Sequence, residues 1–586
     1  MKKRSEIEEQ YKWDLSGYFN DENEFNKEFA FLKSKLSAFE VFRGKLTNEK
    51  NILECLELDE KLSKRLEVLC VYASLKLSED AGDSKNQERL NQVSSLMTEF
   101  SANTSFVAVE IKKNPDSLLK KLQKESEFKN FFKDILRNKK HILSEKEEKL
   151  LSMCGEFAGG FSNNFGAFDD ADLKFPKVQD KNGKFHELNH STYLKLLQSS
   201  DRILRKNTFE TFNGQYGKFN NFLASNYISN IKADVFYAKA SKYENCLDKS
   251  IFLEEASRKV YDTLIKSVND NISVFYEYFD VKRKSQGLKD FALYDQYVKE
   301  SQIQKKYTFD QAIEIIKKAT SPLGEFYGKL LDKAVQERWI DIYPNENKDS
   351  GAFSSGAYGK NPVLLTNFVG DTNSLFTLAH ELGHSMHTYL SNNNNNFDQA
   401  SYTIFVAEVA SIVNEMLLLK YLLNNSKSDK EKIYYYDYFL SEFKSTVFRQ
   451  TMFSEFEQFA HETLEKGESI SAEILNKIYY DLNKKYFGEN VKFVDEIKYE
   501  WSRIPHFYNS FYVYKYAIGM ISALYLTENI IPSNPERYIN FLKSGSTKGP
   551  IELLFDAGVN LEKQDVFNRA FSGALDMIEK WKKLLK

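Results

Sequence analysis

The sequence predicts a mainly α protein: a helical N-terminal lobe over residues 1–190 that ends in a β-hairpin, then a helical domain over residues 191–586 that carries a small β element. Three observations carry this expectation. Proline supplies only 9 of 586 residues, well under its usual share of about 5%. None falls between Pro176 and Pro322 or between Pro362 and Pro505, so two long stretches are open to uninterrupted helix. Apolar residues recur at helical spacing, and a chain of this length exceeds one hydrophobic core, so at least two packed bodies are expected.

From Tyr18 to about Phe165 the pattern is helical, with Leu53, Leu56, Leu58, Leu62, Leu66 and Leu69 as an example and a turn signal at Asn114-Pro115. No fixed period repeats, which excludes a solenoid with a countable unit. Residues 160–190 break the pattern: two short runs, ADLKFPKVQD and KFHEL, flank Lys181-Asn182-Gly183 and predict a hairpin. Helix resumes at Ser191 and continues to about Leu331. The segment Tyr343 to Thr372 is the most irregular; Gly351, Gly356 and Gly359 with their serines predict a mobile loop, and Pro362 to Phe368 a short strand. A helix follows directly. Asp371, Thr372, Asn373 and Ser374 are all good N-cap residues, and Leu375, Leu378, Leu382, Met386 and Leu390 mark its apolar stripe.

Composition narrows the function classes. With 42% hydrophobic and 28% charged residues the chain has ample surface to bury and is not expected to be disordered. Lys and Arg number 81 against 84 Asp and Glu, a formal charge of −3, so no summed field draws nucleic acid or an anionic membrane. The opening MKKRSEIEEQYK lacks the apolar run of a secretory signal. The longest apolar stretch, Phe511 to Leu526, contains Lys515 and is too short to span a bilayer. A cytoplasmic location is therefore expected. Cys55, Cys70, Cys154 and Cys246 form no CxxC pair, which argues against a disulfide framework and a thiolate metal site.

The chemistry is concentrated in FTLAHELGHSMHTYL, where His380, Glu381 and His384 form HExxH inside the predicted helix. Histidines at i and i+4 lie one turn apart on one face, so both imidazoles reach a single Zn²⁺, expected at one per chain. Glu381, one position round, is placed to touch a water held by the metal, the geometry of a general base. Catalytic zinc takes a third protein ligand. Positions 387 and 390 are His387 and Leu390, not the Gly and His of the HExxHxxGxxH subclass. The alternative is a carboxylate on the following helix, and Glu408 sits among Phe405, Val406, Val409 and Ile412. A carboxylate buried there is costly unless a metal relieves it, so Glu408 is the expected third ligand; a structural ion pair is the bland alternative. Ser411 and Glu415, at i+3 and i+7 from Glu408, are expected to hold the histidine ring N–H groups. His387 is left unassigned. Downstream, WSRIPHFYNSFYVYKYAIG places His506 with Tyr508, Tyr512, Tyr514 and Tyr516 in an apolar stretch. By pattern alone such an aromatic cluster is more often core than catalysis, yet an oxyanion near a metal needs O–H or N–H donors of this kind.

The ordered set YKWDLSGYF, GAFSSGAY, PVLLTNF, HELGHSMH, FVAEVASIVNE, RIPHFYNSFYVYKYAIG and SGSTKGPIELLFDAGVNL resembles the oligoendopeptidase F family, thimet-oligopeptidase-like zinc metallopeptidases, over most of the chain. The resemblance implies zinc ligands His380, His384 and Glu408, Glu381 as base, and transition-state stabilisation by His506 with Tyr512 and Tyr514. It also implies a mostly helical shell around a deep channel that admits short peptides. The expected activity is therefore hydrolysis of internal bonds in oligopeptides, with neither nucleic acid nor membrane as a partner; the sequence assigns no oligomeric state. A strand at 362–368 is expected to pair with the substrate main chain, under the glycine loop 351–359. Two rivals stand beside it: a helical HExxH zinc carboxypeptidase, which needs a cationic group for the terminal carboxylate, and a non-catalytic helical scaffold. Mn²⁺ or Co²⁺ can replace zinc at such donors.

Overall fold

The computed structural model describes residues 2–585, without the side chains of residues 145, 149 and 156, and is 71% helical with only a few short strands. The chain forms two compact units, each assembled from interleaved segments. The first comprises Met1–Lys140, Gln304–Tyr421 and Leu526–Val559; the second comprises His141–Ile303, Leu422–Tyr525 and Asn560–Lys586. The boundary expected near residue 190 thus falls inside the second unit. Linear composition registers where helices pause, whereas compactness depends on which distant helices bury one another's apolar faces.

In the first unit, helices Glu49–Glu79 and Ser84–Ile111 pack together, each started by a side-chain cap: Asn48 accepts from the Asn51 N–H and Asp83 from the Lys85 N–H. Their buried stripe includes Leu56, Leu62, Leu66 and Leu69 and continues into one core with Trp13, Phe25, Phe39 and Phe132. Ala357, Val363 and Leu365 join that core, which anchors a three-stranded sheet to the helices. Val363–Leu365 is its middle strand, parallel to Ile340–Asp341 and antiparallel to Phe353–Ser355. Two expectations change here. Part of the glycine-rich segment read as a mobile loop is the strand Phe353–Ser355, its backbone paired in register with 363–365. The strand expected to receive substrate has both edges occupied, and the outer side of Ile340–Asp341 is met by residues 11–14, through the Ile342 N–H to the Tyr11 carbonyl and the Asp14 N–H to the Arg338 carbonyl, which leaves the edge of Phe353–Ser355.

The helix Thr372–Asn394 leaves the sheet through Gly370 and is capped by Asp371, whose carboxylate accepts from the Ser374 N–H at 2.8 Å. Its predicted stripe of Leu375, Leu378, Leu382, Met386 and Leu390 is fully buried.

The second unit contains the hairpin Val178–Gln179/Phe185–His186, closed with Gly183 at φ +82°, as the Asn-Gly signal predicts. Its interior holds Arg449, Arg503 and Tyr479 around the buried carboxylate of Glu500. All four cysteines are free, and no helix among the described residues is long and apolar enough to cross a membrane.

Candidate metal centre and donor cluster

In the first unit the helix Thr372–Asn394 presents His380, Glu381 and His384, and the helix Ile404–Asn424 lies against it carrying Glu408, Ser411 and Glu415. Gly383 allows the approach. A Cβ built there would sit 2.7 Å from the Ala410 carbonyl oxygen and 2.7 Å from Ser411 Cα, distances no real side chain tolerates. Asn414 ties the pair together, donating to the Ala379 carbonyl at 3.0 Å while accepting from the Tyr327 hydroxyl at 2.9 Å. These residues were not foreseen, although the small residue between the two histidines was a readable sign of close helix packing.

The result is convergence of three donors. Ligand atoms of His380, His384 and Glu408 all lie within 4.8 Å of one another. Glu408 Oε2 is 3.6 Å from His380 Nε2 and 3.9 Å from His384 Nε2. Bonds of 2.0–2.2 Å at tetrahedral angles separate ligand atoms by about 3.4 Å, so small side-chain adjustments admit a divalent cation. The donor types and the ring orientation fit as well. His380 Nδ1 is engaged by Glu415 Oε1 at 2.6 Å, which leaves Nε2 facing the other ligands. His384 is held by the Ala407 backbone carbonyl. Ser411 does not hold a histidine, as had been expected of it. Its hydroxyl donates to Glu408 itself, at 3.2 Å to Oε2 and 3.0 Å to the backbone carbonyl, because at i+3 it is nearer to Glu408 than to the facing helix.

Charge balance also favours a cation. Three carboxylates, Glu381, Glu408 and Glu415, surround two imidazoles in a largely dehydrated site. Burial lowers the His380 pKa, but the hydrogen bond and charge of Glu415 outweigh it and hold it at about 9. Burial, then the charge of His380, drives His384 down to about 3. Glu381 is 7% exposed, and burial lifts its carboxyl to about 7, against the charge of His380 and with that of Glu408. A carboxylate balanced near neutrality both takes and returns a proton readily. It also accepts a hydrogen bond from the backbone of Ser354, on the edge strand. His387 is 1% exposed and stacks on Tyr402, ring centroids 3.8 Å apart, so it is a packed ring outside the candidate donor group.

Replacing Glu415 with Gln is expected to weaken metal binding by about 10- to 100-fold while the helices stay folded; chelator-competition titration beside far-UV circular dichroism checks this.

In the second unit the expected aromatic cluster is sorted by the start of the helix Tyr514–Tyr525. His506, on a short helical turn, lies 6.1 Å from the Tyr512 ring and 5.9 Å from Tyr516, and the two tyrosines are 5.4 Å apart. Tyr514 points elsewhere: it is 1% exposed and packs edge-on against Tyr261. Tyr508 donates its ring to a stack with Phe165, and its hydroxyl accepts from Asn226. The structure therefore groups Tyr516, and not Tyr514, with His506 and Tyr512. Tyr512 lies just before the helix and Tyr516 in its first turn, with Tyr514 between them buried in the interior.

The family described as Peptidase family M3 matches residues 195–573, and the one described as Oligopeptidase F matches residues 110–175. The chain is 37% identical to Oligopeptidase PepF of Bacillus subtilis, over 98% of this chain and 88% of that protein. It is 35% identical to Group B oligopeptidase PepB of Streptococcus agalactiae, over 97% and 96%. Among solved structures, a putative peptidase from Chlamydophila abortus superposes with a TM-score of 0.94 at 33% identity, covering 100% of both chains. Oligoendopeptidase-F from Enterococcus faecium superposes with a TM-score of 0.74 at 30% identity, over 96% of this chain and 99% of that one.

Proposed function

We propose, from the premise that this chain belongs to peptidase family M3 and is a metalloendopeptidase, that it is a zinc-dependent oligopeptidase cutting internal bonds of short peptides, with Glu381 as the proton-transferring base. The observation that carries this reading is the convergence of His380, His384 and Glu408 beside the buried carboxyl of Glu381. His380, His384 and Glu408 would hold the zinc, which when bound would supply Lewis acidity for the scissile carbonyl and for a water. Glu381 takes the proton of the attacking water and returns it to the leaving nitrogen, as its pKa of about 7 suits. Glu415 and the Ala407 carbonyl keep the imidazoles aimed. His506, Tyr512 and Tyr514 are the candidate donors for the developing oxyanion; the rings of His506 and Tyr512 stack 6.1 Å apart, whereas Tyr514 is buried against Tyr261.

Substrate main chain pairs with the edge strand Phe353–Ser355, whose Ser354 N–H is already directed at Glu381. Pairing of this kind reads backbone, so a wide range of side chains is accepted. Beside that strand, within the first unit, lies a cavity of about 520 Å³ lined by Ser354, Tyr358, Phe397, Asp59, Glu67 and Asp398. No Lys or Arg lines it among the described residues, the opposite of what a carboxypeptidase needs to hold a terminal carboxylate. Glu67 accepts from the Tyr358 N–H and Asp398 from the N–H groups of Asn130 and Phe131. Asp59 has no such partner among the described residues and is free to meet a cationic group of the peptide. Asp59→Asn is expected to raise KM about fivefold for a peptide placing Lys there and to leave the norleucine counterpart unchanged, as parallel kinetics on the two peptides would reveal.

Mass spectrometry of a mixed-length peptide digest tests the activity itself. Internal cuts confined to short peptides, abolished by chelator and restored by zinc, are the expected result. Release of single residues from the C-terminus sinks the endopeptidase reading, and uncut peptides with zinc present sink the enzymatic one.

A further inference from the structure

Between His506 and the helix Tyr514–Tyr525 the second unit contains a backbone feature that no metal chemistry explains. Phe511 adopts φ +56°, the left-handed conformation that side chains with a Cβ rarely take. Its ring is buried, so the fold maintains the disfavoured geometry at a non-glycine residue. The surrounding helices supply the reason. The Phe511 N–H donates to Glu457 Oε1 at 2.6 Å, and Glu457, 0% exposed, stands on the helix Arg449–Glu465. One turn later on the same helix, His461 lies against the Phe511 ring at 4.7 Å. The ring Nδ1 of His461 is 2.9 Å from the Glu457 carbonyl, and its Nε2 is 3.3 Å from the Ser510 hydroxyl, which also donates to Asp234 at 2.5 Å.

The grouping of Ser510, His461 and Asp234 invites a nucleophile reading, which the geometry rejects. Asp234 approaches Nε2, the same nitrogen that faces Ser510, at 3.5 Å. A carboxylate that orients a catalytic histidine sits on the opposite ring nitrogen. The cluster is instead a clamp on residues 510 and 511. Its effect falls on the next residue. The Asn509 N–H donates to the His506 carbonyl and the Tyr512 N–H to the Asn509 carbonyl, so successive turns fold residue 512 back over 506. The left-handed step at Phe511 sets the direction in which the Tyr512 ring leaves this turn and stacks toward His506, at 21° between planes.

We infer that Glu457 is a positioning residue for peptide hydrolysis, holding Phe511 in its left-handed conformation so that Tyr512 is aimed beside His506; the inference rests on the reading of Tyr512 and His506 as transition-state donors. Burial lifts the Glu457 carboxyl to about 8, against the charge of His461, so at neutral pH it is mostly a neutral acid. Glutamine is then a close substitute: its amide oxygen accepts the same N–H without changing charge.

The test uses the zinc-loaded full chain and an internally quenched peptide. Glu457→Leu is expected to lower kcat about 30-fold with KM within about twofold, because a misaimed donor is lost in the transition state and not in ground-state binding. Glu457→Gln is expected to stay within about threefold of wild type. In the double-mutant cycle, Tyr512→Phe alone lowers kcat, and adding Glu457→Leu to it costs less than about threefold more. Additive losses, or equal losses in the Leu and Gln variants, overturn the inference. Ser510→Ala loosens the same turn without emptying the buried position; a drop of about fivefold in kcat is expected, and an unchanged kcat overturns the inference even where Glu457→Leu fails to fold. A Tyr512→Phe enzyme with full kcat removes both this inference and the donor role of Tyr512, while loss of cleavage in Glu381→Gln reports separately on the hydrolytic reading.

Discussion

Glu381→Gln is expected to leave a folded protein that binds one zinc and has lost about 10³-fold in kcat, the middle of the range for removal of a general base. The amide keeps the shape of the carboxylate and can still accept from the Ser354 backbone, so the edge strand and the helix Thr372–Asn394 have no reason to move. What disappears is the group whose pKa burial lifts to about 7. The proposed ligand set of His380, His384 and Glu408 is untouched, so zinc stoichiometry by atomic absorption should match wild type while turnover does not. The pH profile adds a sign. In wild type the rising limb of kcat/KM tracks ionisation of the free-enzyme base, so activity falls as pH drops; the Gln variant should lack that limb. Retention of more than a tenth of wild-type kcat would falsify the assignment of Glu381 as base.

Gly383→Ala is expected to damage the metal site and the fold together. In an open helical position the change from Gly to Ala favours folding by about 1 kcal/mol. Position 383 is not open: the new methyl meets backbone atoms of Ala410 and Ser411 at 2.7 Å, and backbone cannot swing aside as a flexible side chain does. The two helices must separate, at a cost of about 1–3 kcal/mol for overpacking, which exceeds the propensity gain. Separation carries Glu408 away from His380 and His384 and breaks the Asn414 bond to the Ala379 carbonyl. Zinc affinity should fall by more than about 100-fold, and the apo protein should melt below wild type. Gly328→Ala is the control: that glycine lies in the helix Glu325–Gln336 with nothing within 4 Å of the added Cβ. It should raise the melting temperature slightly and leave zinc binding alone.

Local patterns carried far in this chain. Proline spacing and leucine periodicity indicated a mostly helical protein, the Asn182-Gly183 pair marked the hairpin, and the run Asp371 to Ser374 marked the start of the motif helix, which the structure caps with Asp371. Each is a short-range rule of backbone conformation, so no knowledge of distant contacts was needed. The spacing of His380 and His384 likewise follows from one helical turn. Glu408 was legible because an acid in an apolar helix demands a partner, and Glu415 because it repeats the face of Glu408.

The remainder depended on contacts between segments far apart in sequence. Nothing in residues 351–359 distinguishes a loop from a strand until residues 363–365 lie beside them, and a glycine- and serine-rich stretch has weak intrinsic preference for either. Ser411 bonding Glu408 in place of a histidine, and Tyr516 in place of Tyr514 beside His506, turn on where a helix begins and what packs on it. The sequence by itself determined the helical fold class and the spacing of His380 and His384 on one helix, because both arise from neighbours within a few residues. Only the tertiary structure decided which sheet edge is free, how closely Gly383 lets two helices approach, and which hydroxyls converge, because those are steric outcomes of packing between segments joined by no local rule.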